Sequence, residues 1–188
     1  MVMPTIGFLG RVLQENAESP LLLCGTATTA GSRIYEKRLA ACGVRGGRIF
    51  SLGCPGLATQ IEYAPSGATV RTMIRRYVRE AEKLFPVPPE KLLIALCCTH
   101  FGYSPLWAKE FSVRFGNVEI FNPNRAAVEA LLPRWRGNFR PDFSVRFLTR
   151  VDFPEIKAQA LAPCFSGRAP EIIGALFHPE RDIGLFDF

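Results

Sequence analysis

At 188 residues and 48% hydrophobic side chains, the chain can bury a sizeable core, which excludes intrinsic disorder. Its 23 basic and 17 acidic residues leave a net charge of +6, but the arginines are scattered and not interleaved with aromatics, which argues against nucleic acid as a partner. No apolar run approaches the roughly 20 residues that span a bilayer, and no basic segment precedes an apolar stretch at the start, so neither a membrane partner nor a signal peptide is expected.

Apolar runs and amphipathic segments alternate along the chain. Leu21 to Cys24, Arg48 to Leu52, Lys91 to Cys97, Val118 to Phe121 and Ser144 to Leu148 read as strands. An amphipathic helix carrying Ile34, Tyr35, Arg38 and Leu39 follows the first. From Ser66 to Phe85, residues Val70, Met73, Ile74, Tyr77, Val78, Ala81 and Leu84 keep helical spacing. Ser66 is its expected N-cap, and Pro86, Pro88 and Pro89 stop it. A further helix is expected after Ser104, with Pro105 at its first position, and another from Asn124 through Ala127, Val128 and Leu131. The segment holding Arg134, Trp135, Arg136 and Arg140 reads as an exposed loop. Asp182 to Phe188 reads as a tail that docks or frays. The alternation predicts an α/β fold of three layers, a mostly parallel sheet flanked by helices.

In such sheets ligands sit at the carboxyl ends of the strands. Of the four loops there, after Leu23, Leu52, Leu96 and Phe121, three open with or contain cysteine: Cys24-Gly25-Thr26, Gly53-Cys54-Pro55 and Cys97-Cys98-Thr99-His100. The chain has six cysteines and two histidines, with no C-x-x-C pair. A zinc site is therefore not expected, and neither is any other metal. Free thiols and a cytoplasmic location are expected.

Cys98-Thr99-His100 is the segment expected to carry the chemistry. A thiol works as base or nucleophile only as thiolate, and a histidine two residues on can take its proton. A buried strand-end cysteine beside a satisfied histidine would give the same tripeptide. Gly25 to Ser32 offers threonine hydroxyls and backbone N–H groups between a strand and a helix. That suits a carboxylate or a phosphate, and equally plain helix capping. It lacks the lysine of a nucleotide-binding loop. Glu62, at the end of Cys54-Pro55-Gly56-Leu57-Ala58-Thr59-Gln60-Ile61-Glu62, is a weak signal by itself.

Taken in order, these segments resemble the second half of glutamate racemase, in the cofactor-independent aspartate/glutamate racemase superfamily. Pro4 to Gly10 looks like the crossing into the second domain. Leu21 to Ser32 is similar to a strand followed by G-T-x-x-T-x-x-S, and Cys54 to Glu62 to C-P-x-x-x-x-x-x-E. Leu92 to His100 resembles a strand with C-T-H, Val118 to Val128 the next strand and helix, and Phe143 to Phe165 the tail. The resemblance implies racemisation of a small acidic substrate, an amino acid or dicarboxylate, by cysteine acid/base chemistry without a cofactor. Cys98 would be the second of two thiols, His100 would assist it, and Glu62 would hold that histidine. Thr26, Thr29 and Thr99 would bind carboxylates.

It also implies a racemase-like domain over residues 1–117 and, over 118–188, a strand–helix segment and tail that in the family returns to the first domain. That first domain, with the other thiol, is expected before Pro4 and is missing from this sequence. Three positions depart from the pattern. Cys97 stands for a glycine, Phe101-Gly102 for Tyr-Pro, and Asn122-Pro123-Asn124 for Asp-Ser-Gly. Two alternatives follow: a single-thiol decarboxylase-type relative, and a non-catalytic or degenerate binding module. Half a cleft would expose apolar surface, so a homo-oligomer or a partner chain supplying the missing domain is expected.

Overall fold

The computed structural model describes residues 4–131, 144–166 and 170–185. Four strands, β1 (Leu21–Gly25), β2 (Ile49–Gly53), β3 (Leu92–Leu96) and β4 (Val118–Phe121), form one sheet in the order β2-β1-β3-β4. Every pairing is parallel, with Leu21 opposite both Ile49 and Leu93, and Leu92 opposite Val118. The chain therefore has the α/β architecture expected from its alternating pattern. β1 and β3 are buried at every position, which explains why they read as unbroken apolar runs.

Alternate strand residues feed two cores. Leu22, Cys24, Leu92, Ile94 and Leu96 pack under α5 (Ala68–Glu82) and α6 (Trp107–Phe115). Leu21, Leu23, Leu93 and Ala95 pack against Leu39 of α3 (Ile34–Ala41) and against α1 (Pro4–Glu15). This is the three-layer arrangement, with the sheet in the middle. α7 (Pro123–Leu131) also packs on α1.

The Pro4 to Gly10 stretch is the start of helix α1. Its buried residues Ile6, Leu9, Val12 and Leu13 keep helical spacing. At the far end of α1 the Arg48 guanidinium donates to the carbonyls of Leu13 (2.7 Å), Asn16 (2.6 Å) and Ser19 (3.2 Å). It satisfies acceptors that a helix terminus leaves open.

Other boundaries move by a residue or two. α5 begins at Ala68 with Gly67, not Ser66, at the cap. α6 begins at Trp107, because a 3₁₀ turn (Phe101–Tyr103) and Ser104 come first; the Leu106 N–H donates to the Ser104 hydroxyl at 3.4 Å. Arg48 ends a 3₁₀ turn instead of opening β2. The strand expected over Ser144 to Leu148 is instead β5 (Leu148–Thr149), paired in parallel with β6 (Glu180–Arg181). The partner, 32 residues downstream of Leu148, could not be read from alternation in so short a run. The loop with Arg134, Trp135, Arg136 and Arg140 lies outside the described residues, as do Phe143 and residues 186–188 of the tail.

Candidate functional site

The carboxyl ends of β1, β2 and β3 meet at one edge of the sheet. The Cys97 N–H donates to the Cys24 carbonyl (2.7 Å) and the Cys54 N–H to the Gly25 carbonyl (2.8 Å), so the three loops start side by side. Their cysteines differ sharply. Cys24 is fully buried, and burial, reinforced by a hydrogen bond with Cys54, pushes its thiol well above the ordinary range. Cys54 is buried too, with its sulfur toward the Leu52 carbonyl at 3.8 Å. Burial raises Cys97 to about 12, opposed in part by a hydrogen bond with Tyr35 of α3. Cys24 and Cys97 are thus held as neutral thiols. Cys98 alone of these four is set beside an imidazole, its Sγ 3.9 Å from His100 Nδ1.

The His100 ring is fixed from its far side. Nε2 lies 2.9 Å from Glu62 Oε1. A carboxylate only accepts, so the proton of this contact sits on Nε2, and Nδ1 is the ring nitrogen turned toward Cys98. The Thr99 hydroxyl lies 3.4 Å from the same Nδ1. Glu62 sits on α4 (Leu57–Tyr63), whose Leu57 and Ile61 are buried. The turn before α4 needs Gly56 at φ +77°, where an L side chain is strained. The Tyr77 hydroxyl donates to the Pro55 carbonyl at 2.6 Å and pins that turn.

A residue absent from the sequence reading completes the cluster. Lys157, on α8 (Glu155–Phe165), places Nζ 2.5 Å from Glu62 Oε2 and 5.0 Å from the centre of the Tyr63 ring. The hydrogen bond with Glu62 raises the lysine above its ordinary range. One carboxylate thus spans a histidine from the β3 loop and a lysine from the tail helix. No local signal marks Lys157, which stands 95 positions from Glu62. Only the fold brings them together.

Thr26 caps α2 (Ala27–Ser32) by accepting from the Thr29 N–H at 3.2 Å, and the two hydroxyls are 2.9 Å apart. The capping reading of this loop therefore holds, while both hydroxyls stay on the strand-end edge. Thr99 is exposed. Two departures from the racemase pattern fit together. Phe101 is fully buried, and its carbonyl accepts from Trp107 Nε1 at 3.0 Å, which anchors the turn after His100. At Gly102 an added Cβ would come within 2.2 Å of Asn122 Nδ2, so the glycine makes room for the loop after β4. Among the described residues, no three His, Cys, Asp or Glu side chains are placed to share a metal ion, and no helix is long and apolar enough to cross a membrane.

Solved structures share this fold. Glutamate racemase from Campylobacter jejuni subsp. jejuni matches with a TM-score of 0.61 at 21% identity, over 89% of this chain and 63% of that one. A glutamate racemase isoform from Bacillus anthracis matches at 0.59 and 21%, over 87% and 59%. Glutamate racemase from Francisella tularensis subsp. tularensis, solved in complex with D-glutamate, matches at 0.58 and 16%, over 86% and 58%. The chain thus spans 58–63% of the length of these racemases. No protein-family model matches the chain, and no curated protein matches it.

Proposed function

We propose that the chain performs racemase-like proton transfer at the α-carbon of a small acidic amino acid or dicarboxylate, with Cys98 as the acid/base. The observation that supports this most directly is the Glu62–His100–Cys98 arrangement at the strand-end edge of a racemase fold. His100 Nδ1 takes the Cys98 proton, and Glu62 stabilises the resulting imidazolium through Nε2. The thiolate then takes the substrate α-proton, leaving a neutral thiol and a carbanion. The thiol proton exchanges with solvent, and return of a solvent-derived proton from the same sulfur to the carbanion closes the cycle and restores the thiolate. Thr26, Thr29 and Thr99 hold the carboxylates; their hydroxyls and the Nε2–His100–Glu62 system answer the charge that develops.

One thiol acts on one face of the α-carbon. The reaction assigned to Cys98 is therefore exchange of the α-proton with solvent, and inversion needs a second acid on the opposite face. The assay is NMR loss of the α-proton signal from D- and L-glutamate and D- and L-aspartate in deuterated water. Exchange is expected with at least one of the four, and Cys98→Ser should remove it with the fold intact. No exchange from any of them by the folded wild-type chain would sink the proposal.

A further inference from the structure

The Glu62 carboxylate has two oxygens and two cationic or protonated partners, one on each. Oε1 faces His100 Nε2 at 2.9 Å, and Oε2 faces Lys157 Nζ at 2.5 Å. The terminal torsion of a glutamate is broad and soft. Without a partner on Oε2, the single contact to His100 Nε2 would hold the carboxylate alone, and the group could turn about that torsion. The side chains of Glu62 and Lys157 are 24% and 19% exposed, partly shielded from water, where a charge-assisted hydrogen bond is stronger than at an open surface. Lys157 is itself steadied by the Tyr63 ring beneath it. α8 lies along α4, and Phe165 meets Tyr103 edge-on with ring centres 6.1 Å apart.

We propose that Lys157 is the positioning residue of this site, orienting Glu62 so that His100 keeps the Nε2–H tautomer with Nδ1 open toward Cys98. The proposal rests on the acid/base reading of Cys98 and His100, but its structural content stands apart from turnover. It makes the tail helix part of the site without touching substrate. The coupling runs both ways: whatever weakens the Lys157–Glu62 contact loosens α8, and whatever lifts α8 frees the Glu62 carboxylate.

His100 and His178 are the two histidines of the chain, so His178→Gln leaves a single imidazole for nitrogen-15 NMR. In that background the Nε2–H tautomer should dominate at neutral pH. Lys157→Met should move the tautomer ratio toward the mixture found in Glu62→Gln, and Lys157→Arg should restore most of it. An unchanged ratio in a folded Lys157→Met protein overturns the proposal. Glu62→Gln provides a second arm that leaves Lys157 in place: amide hydrogen exchange across α8 should quicken about fivefold, the scale of weakening a charge-assisted hydrogen bond to a neutral one. Undisturbed protection there also overturns it. With an exchanging substrate, Lys157→Met should lower kcat about fivefold with little change in KM. Absence of any substrate exchange by wild type refutes the assigned reaction, while the tautomer and α8 measurements still decide the role of Lys157.

Discussion

Two carboxylates in this molecule each bridge two basic groups, and their settings differ. Glu110, on α6, has a side chain 2% exposed and lies 2.7 Å from Arg75 Nε and 3.5 Å from Arg71 Nε, both on α5. Glu62 is 24% exposed and lies between a lysine and a histidine. Arginine does not lose its charge in proteins, so the Glu110 cluster pairs a carboxylate with two permanent cations and joins two helices. An imidazole can both give and take a proton, so the Glu62 cluster holds a group that can take part in proton transfer. The same grouping of charges serves as a fixed brace on the helical face and as a responsive element at the strand ends. The placement follows: Glu110 joins α6 to α5, whereas Glu62 joins the loop after β3 to the tail helix α8.

Substitutions can separate the two roles. The largest effect is expected at Glu62. Glu62→Gln should slow α-proton exchange about 100-fold, equivalent to about 2.7 kcal/mol, while the urea midpoint moves little; equal losses of activity and stability would collapse the distinction. Glu110→Ala should do the reverse, costing about 2 kcal/mol of unfolding free energy and leaving exchange per folded molecule unchanged.

The neutral thiols give a pH test of a third kind. Cys97 is raised to about 12 from an ordinary 9.0, and Cys24 shifts the same way. Above pH 9 the unfolded chain loses these protons first and the folded chain keeps them. The contribution of Cys97 is therefore full below pH 9 and declines as pH climbs toward 12, by about 1.4 kcal/mol per pH unit, and Cys24 adds in the same direction. Urea titrations at pH 8, 9 and 10 would show it, and Cys97→Ala should flatten the slope. An unchanged slope in that variant would remove Cys97 from the account. The smallest effect is expected at Arg71, whose Nε lies 3.5 Å from Glu110 Oε1 without a hydrogen bond. Arg71→Met should cost about 0.5 kcal/mol, since Arg75 keeps its 2.7 Å hydrogen bond to Glu110.

The layered sheet was legible because β1 and β3 are continuous apolar runs, and α5 because Val70, Ile74, Tyr77, Val78 and Ala81 all fall on its buried side. α1 was not singled out, although Ile6, Leu9, Val12 and Leu13 keep helical spacing and are buried. Cys98 and His100 stood out because they are two residues apart at a strand end. Glu62 became notable only through the resemblance, and Lys157 not at all. A lysine on a helix carries no mark of what it will meet across 95 positions of chain. Tyr35 and Tyr77 were read as helix-face residues, and their hydroxyls found Cys97 and the Pro55 carbonyl. Periodicity reports which face a side chain lies on, but not its polar partner.

The central place of β1 has a consequence for how the chain is made. Its two neighbours come from Ile49 and Leu93 onward, so one edge of the strand can pair early and the other only after more than 70 further residues exist. Synthesis runs from the N-terminus at about 5–20 residues per second. For several seconds Leu21 to Leu23 offer an unpaired apolar edge to whatever is near. Contacts of such long sequence separation are slow to close. The nascent protein is at its most aggregation-prone just before β3 leaves the ribosome. A chain stopped short of Leu92 would be held in that state.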